Sequence, residues 1–154
     1  MLMTRLPEDF GTEGYWKRRR KALELELAAI AKAGAFWVFD QRVESSADFR
    51  EYLWAHDNYD VERARRLVGL LPIEVIQRIL RYLSMDYWRH YLGWPDLLLY
   101  REGDYFFAEV KGSGDKLSDD QKQWITGNRK VMHIPFKLVK VHKAGIIEPS
   151  IADS

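Results

Sequence analysis

Cysteine is absent from the 154 residues. That excludes disulfides, zinc–thiolate sites and thiol catalysis. No apolar run approaches the ~18 residues needed to span a bilayer, so no membrane partner is expected. The opening stretch MLMTRLPEDFGTEG carries acids and no apolar core, and it does not read as a signal peptide. Lys and Arg total 24 against 23 Asp and Glu, a net charge of +1. Attraction to nucleic acid must then come from local patches and not from the whole field. Internal repeats and low-complexity tracts are also missing. A soluble, intracellular (cytoplasmic, nucleoid-associated if bacterial) protein is the expectation.

What is present is enough for one globular domain. Apolar residues make up 47% and aromatic residues 14%, which suits a sizeable core. Residues 15–33 have a helical pattern, with Leu23, Leu27 and Ile30 at 3–4 spacing and Gly34 as a stop. The apolar run AFWVF at 35–39 reads as a strand. Residues 47–55, 61–71 and 73–90 read as helices, with Asp60 capping the second and Pro72 at N1 of the third. Ile73, Ile76, Ile79, Leu80, Leu83 and Tyr87 form the apolar stripe of the third. His56 and His90 read as packing or surface residues, since no His pair has the i, i+4 spacing of a metal site.

Chemistry concentrates between Gly93 and Trp124. Residues 97–100 and 105–110 are short runs rich in Leu, Tyr, Phe and Val. Arg101-Glu102-Gly103-Asp104 between them predicts an antiparallel hairpin turning on Glu102-Gly103. If Arg101 faces Asp104, each step outward extends the pairing until Asp96 comes opposite Glu109. Opposed side chains have Cβ atoms about 4.5–5.5 Å apart. Lys111 follows Glu109 by two and shares its face. Two carboxylates so close repel unless a positive charge lies between them. A hard divalent cation, Mg²⁺ or Mn²⁺, suits that gap, and the Val110 carbonyl offers another oxygen. Such an ion activates water and clamps phosphate oxygens. Lys111 then orients the attacking water and offsets charge on the phosphate. The bland alternative is a surface hairpin with ordinary solvated acids. Against it, both faces of the hairpin are apolar: Leu97, Leu99, Phe106, Ala108 and Val110 on one, Leu98, Tyr100, Tyr105 and Phe107 on the other. Such strands predict a sheet covered on both sides.

The flanking segments fit the same chemistry. Ser118 and Gln121 form a capping-box pattern that starts a helix at 119–128 beside the Lys111 strand. Gln121 is either only the cap partner or also faces the metal site. Lys116 and Lys122 lie near enough to contact phosphate. The run Lys17-Arg18-Arg19-Arg20-Lys21 opens the first helix against its dipole. Phosphate contact by Arg18, Arg19 and Lys21 and a merely solvated face are both open readings. Residues 135–141 (PFKLVKV) alternate apolar and basic residues and predict a strand beside the hairpin.

G-W-P-D-L, E-V-K-G, D-K-L-S and Q-K-Q-W, in that order within Gly93–Trp124, resemble the VRR-NUC (virus-type replication-repair nuclease) family. The likeness is strong over about a third of the chain and weaker over 21–34. The resemblance implies an α/β, restriction-endonuclease-like PD-(D/E)xK fold, a mixed central sheet flanked by helices. Its core would span 15–40 and 91–143 of a single domain, 1–154, with a helical insertion at 47–90. It implies Asp96 and Glu109 as metal ligands, Lys111 as catalytic lysine, Gln121 as a supporting site residue and Glu24 as a helix-borne acid and metal ligand. Glu24 is chosen over Glu26 because it stands ten residues before Gly34. The helices before the PD motif are similar to the Fanconi-associated nuclease branch, though the insert here is shorter.

The implied function is a metal-dependent, structure-selective DNA nuclease that hydrolyses phosphodiesters in branched or flapped DNA during repair or recombination. A non-catalytic junction-binding module and a Holliday-junction resolvase acting as a homodimer are the alternatives. An RNA endonuclease is a third, without a stacking motif to favour it. A homodimer is the favoured assembly, since small nucleases acting on branched substrates often use two sites. A larger repair protein is the other expected partner.

Overall fold

A computed structural model of the chain describes residues 7–45 and 58–142. The expected helix at 47–55 and His56 lie outside the described residues. Helix α1 (Glu13–Ala33) starts where Thr12 Oγ1 accepts from the Tyr15 N–H at 3.3 Å. It stops at Gly34, whose φ of 86° suits glycine and whose N–H donates to the Ile30 carbonyl. The next element corrects the sequence reading. AFWVF is not a strand but the first turns of helix α2 (Ala35–Ser45). A short apolar run does not distinguish strand from helix, and among the described residues no strand pairs with it. Instead α2 packs on α3 (Asn58–Leu70). A Cβ on Gly69 would come within 2.8 Å of the Phe36 ring, and Arg65 holds Asp40 through two bonds of 2.6 and 3.0 Å.

Three further boundaries differ from expectation. Asp60 lies inside the first turn of α3 and is not its cap. Pro72 is the N-cap of α4 (Ile73–Met85) and not N1; its carbonyl accepts from Val75 and Ile76. The expected single helix 73–90 breaks at Asp86, whose backbone is extended, and α5 (Tyr87–His90) restarts on the Asp86 carbonyl. Trp88 then bonds the Phe10 carbonyl at 2.9 Å, tying α5 to the chain's opening turn. The buried stripe of α4 is centred on Val75 and Tyr82, while Leu80 is exposed. This follows from α4 packing both on α1 and on the segment before the last strand.

Strands β1 (Leu97–Arg101) and β2 (Asp104–Gly112) form the expected hairpin. Glu102 and Gly103 both take positive φ, 50° and 93°, as a two-residue type I′ turn requires. The register runs from Arg101↔Asp104 to Leu97↔Ala108, as the turn predicts. Helix α6 (Asp119–Gly127) and a π-type turn (Asn128–Met132) lead to β3 (Phe136–Val141), which pairs parallel to β2. The sheet is therefore mixed, in the order β1-β2-β3.

Its inner face carries Phe107 against Tyr82, Trp124, Met132 and Ile134. Trp124 is 1% exposed; an indole so buried contributes about 4–6 kcal/mol by area. Asn128 is buried and pins Ile134 through Nδ2→O and N→Oδ1 bonds of 2.9 and 2.8 Å. The outer face differs from expectation. Leu97, Leu99, Val110, Val139 and Val141 are exposed there, so among the described residues the sheet is covered on one side only. No helix among the described residues is long and apolar enough to cross a membrane.

Candidate active site at the β2–α6 corner

The chemistry centres on Glu109, an acid on the inner face of the middle strand. It is 2% exposed. Its Oε1 accepts from Lys111 Nζ at 2.9 Å and from Gln121 Nε2. Its Oε2 is buried with no hydrogen-bond partner. Lys111 reaches the same oxygen because strand periodicity puts it on the same face, two residues along. Gln121 arrives from α6. Its side-chain oxygen accepts from the Ser118 N–H at 3.0 Å, and Ser118 Oγ accepts from the Gln121 N–H at 3.1 Å. The capping box thus fixes the start of α6, and the remaining amide N–H points to the carboxylate. Gln121 is both cap partner and Glu109 contact.

Gly93 is what lets the two halves approach. Its φ is 75°, and a Cβ there would lie 2.2 Å from the Asp120 carbonyl. The loop that carries Pro95 and Asp96 therefore lies directly on the first turn of α6. Pro95, Glu109, Leu117, Gln121 and Phe136 line a narrow cleft at this corner.

The arrangement fits a hard cation at Glu109. A buried carboxylate oxygen left without a donor costs about 1–3 kcal/mol or more, and metal ligation is one of the few ways to offset that. Asp96 is exposed and stands one residue before the β1–β2 ladder, whose last pair is Leu97↔Ala108, next to Glu109 in sequence. Val110 lies beyond the last β1 pair and pairs with Val139 of β3. Among the described residues no three His or carboxylate side chains gather into a ready metal cage.

Glu24, the expected helix-borne acid, is held by Arg81 of α4. Both its oxygens are bound by Arg81, at 3.0 and 3.2 Å from Nε and 2.7 Å from Nη2. The Arg81 hydrogen bonds, aided by its charge, hold the Glu24 carboxyl below the usual range. The physical reason is packing: the face of α1 that carries Leu27 and Ile30 meets α4, and α4 supplies the arginine. Glu26 is exposed and meets Arg42 at 3.3 Å.

The expected phosphate contacts are scattered. Lys116 is exposed on the loop before α6, and Lys122 pairs with Asp119 at 2.8 Å beside Gln121. Arg18 is bridged to Asp9, Arg19 lies over the Tyr15 ring at 5.4 Å, and Lys21 is exposed. The sequence reading left out Arg81 and the pocket where Lys17 and Arg20 meet Arg89. The i, i+3 spacing of Lys17 and Arg20, in phase with buried Trp16, was the available signal.

A family model described as VRR-NUC domain matches residues 39–143. Among curated proteins, the chain is 28% identical over 127 residues to the Fanconi-associated nuclease 1 homolog of Arabidopsis thaliana, covering 77% of this chain and 14% of that protein. It is 28% identical over 137 residues to Fanconi-associated nuclease 1 of Homo sapiens, covering 81% and 13%. It is 33% identical over 127 residues to the homolog of Caenorhabditis briggsae, covering 78% and 14%. The chain thus spans only a small part of these relatives. In structure it is similar to paFAN1, crystallised with a 2-nucleotide 5′-flap DNA with a gap. That likeness has a TM-score of 0.65 at 21% identity, over 90% of this chain and 26% of that one.

Proposed function

The chain belongs to the VRR-NUC family, and from that premise we propose that it hydrolyses phosphodiesters in branched or flapped DNA with Mg²⁺ or Mn²⁺. The fold agrees: a mixed sheet with helices packed on it, of the PD-(D/E)xK kind. In our reading 15–40 and 91–143 form the nuclease core of a single domain and 47–90 its helical insertion.

The observation that carries the proposal is the state of Glu109. One oxygen is saturated by Lys111 and Gln121, and the other is buried and unpartnered. A surface hairpin or a pure binding module has no use for such an oxygen. Glu109 Oε2, Asp96 and the Val110 carbonyl are the groups that would hold the ion. Bound there, it supplies an activated water and a clamp on the phosphate oxygens. Lys111 places an ammonium on the face where the scissile phosphate gathers charge, and low local solvation strengthens that contact. Gln121 acts through Glu109: it holds the carboxylate rotamer and keeps Oε2 free for ligation. Lys116 and Lys122 flank the start of α6 and contact phosphate on that side. Arg18, Arg19 and Lys21 give α1 a further positive surface. Glu24, bound to Arg81, clamps α1 to α4.

The test is a panel of flap, fork, splayed-arm, four-way and linear DNA, with an RNA control, in Mg²⁺, Mn²⁺ or chelator. Metal-dependent cutting of branched DNA is expected, lost in Asp96→Asn and Glu109→Gln. Cutting that survives both substitutions would refute the assignment. A homodimer would appear in a solution mass measurement as twice 18.2 kDa.

A further inference from the structure

Strand β3 forms one edge of the sheet, and its two lysines face opposite ways. Lys137 and Lys140 are three residues apart, and side chains alternate along a strand. Lys137 is in register with Ala108, on the outer face. There its ammonium lies 4.2 Å from the centre of the Phe106 ring, so its charge has a partner. Lys140 is in register with Lys111. Residues in register on adjacent strands share a face. Lys140 therefore stands on the inner face, one strand away from the lysine that bonds Glu109.

The two members of that pair are in unlike states. Lys111 has 15% of its side chain exposed, and its ammonium is bonded to Glu109 Oε1 at 2.9 Å. Lys140 is exposed. Its side chain forms no hydrogen bond or ion pair with any described residue. Asp115, the acid just past the end of β2, is engaged by the Gly112 N–H at 2.8 Å. On the same face Leu138 is in register with Glu109 and is 43% exposed. Among the described residues this stretch of β3 is open, and the acid corner beside it is covered.

A lysine on an edge strand has a plain structural use: it discourages another sheet from pairing there. That use accounts for a charge on the edge but not for its place. Ammonium groups in register on adjacent strands repel, and an anion between them removes the repulsion. Asp96 precedes β1, and β1 and β3 lie on opposite sides of β2. Lys140 thus flanks the corner on the side away from β1, about 4.8 Å across the sheet from β2.

We propose that Lys140 holds the DNA phosphate next to the one that is cut. It binds backbone oxygens equally before and during the reaction, so it anchors the strand and leaves the reacting phosphate to Lys111. A backbone contact carries no sequence information of its own. The inference rests on the nuclease reading for which phosphate reacts, but its binding test needs no cutting.

Affinity is measured by anisotropy with the full chain in chelator, on linear duplex and on 5′-flap DNA, across a salt series. Lys140→Gln weakens both about three- to tenfold at about 0.1 M salt and lowers the salt slope by about 0.9. Lys140→Arg keeps affinity and slope. Lys137→Gln removes the same charge from the other face and leaves affinity for both within about twofold. The unfolding midpoint of Lys140→Gln stays within about 2 °C of wild type or rises, which separates a lost contact from a damaged fold. With Mg²⁺ or Mn²⁺, Lys140→Gln raises KM and keeps kcat within about twofold. Unchanged affinity and salt slope in Lys140→Gln overturn the proposal and leave Lys140 as a charge that guards the edge. Equal weakening by Lys137→Gln overturns it too, since net charge and not place would then set affinity. So does a loss confined to kcat, because the ammonium would then meet only the reacting phosphate. Affinity that depends on Lys140 in a protein that cuts no DNA with either metal would sink the nuclease reading and leave the phosphate contact standing.

Discussion

The buried, unpartnered oxygen of Glu109 makes a quantitative prediction about metal and stability. Leaving a buried acceptor unsatisfied costs about 1–3 kcal/mol, and more for a charged group. The metal-free protein carries that cost at Oε2. A cation that binds the folded state alone stabilises it by about 2.7 kcal/mol at a hundred times its dissociation constant. For a chain of this size each kcal/mol moves the unfolding midpoint by about 2–4 °C. Saturating Mn²⁺ or Mg²⁺ should therefore raise the midpoint by about 5–11 °C over chelator. Glu109→Gln keeps the side-chain shape and an oxygen for Lys111 and Gln121, but it removes the charge that ligates. In that variant the metal shift should fall below about 2 °C. The assay is thermal unfolding with and without metal, followed by circular dichroism, beside cleavage of flap DNA. An equal metal shift in wild type and Glu109→Gln would refute the reasoning, because the ion would then be stabilising the fold from somewhere else. So would metal-dependent cleavage by a wild-type protein whose midpoint ignores the metal.

Lys111→Met should cut the cleavage rate by about 10²–10³ while leaving metal-free flap binding nearly unchanged; single-turnover kinetics and anisotropy read the two separately. Arg81→Met should remove an acid-sensitive share of stability. The Glu24 carboxyl is held below its ordinary value of 4.5 in the fold, so the pair's contribution is present above that value and is lost as pH falls through the lower folded value. With about a third of each side chain exposed, screening leaves about 0.5–1 kcal/mol; urea midpoints at neutral and acid pH should differ less in the variant than in wild type. Asn128→Ala strips both donor and acceptor from the Ile134 backbone and should cost about 2–3 kcal/mol, read as a lower urea midpoint with cleavage retained by the protein that stays folded.

Local rules alone were sufficient for the hairpin and for the start of α6. A two-residue turn that needs positive φ at Glu102 and Gly103 leaves one register, and the ladder follows it from Arg101↔Asp104 to Leu97↔Ala108. Likewise the Ser118–Gln121 box lies within four residues and depends on nothing distant. Partners far apart in sequence were decided by tertiary packing. AFWVF is helical and packs on α3, while among the described residues no strand pairs with it. Glu24 met Arg81, 57 residues away, because α1 lies on α4, a fact no spacing encodes. The outer face of the sheet is exposed although its residues are as apolar as the inner ones, since burial depends on what else the chain folds against. Gln121 carried both outcomes at once: its cap is written in four consecutive residues, and its bond to Glu109 exists only because Gly93 lets the PD loop lie against α6.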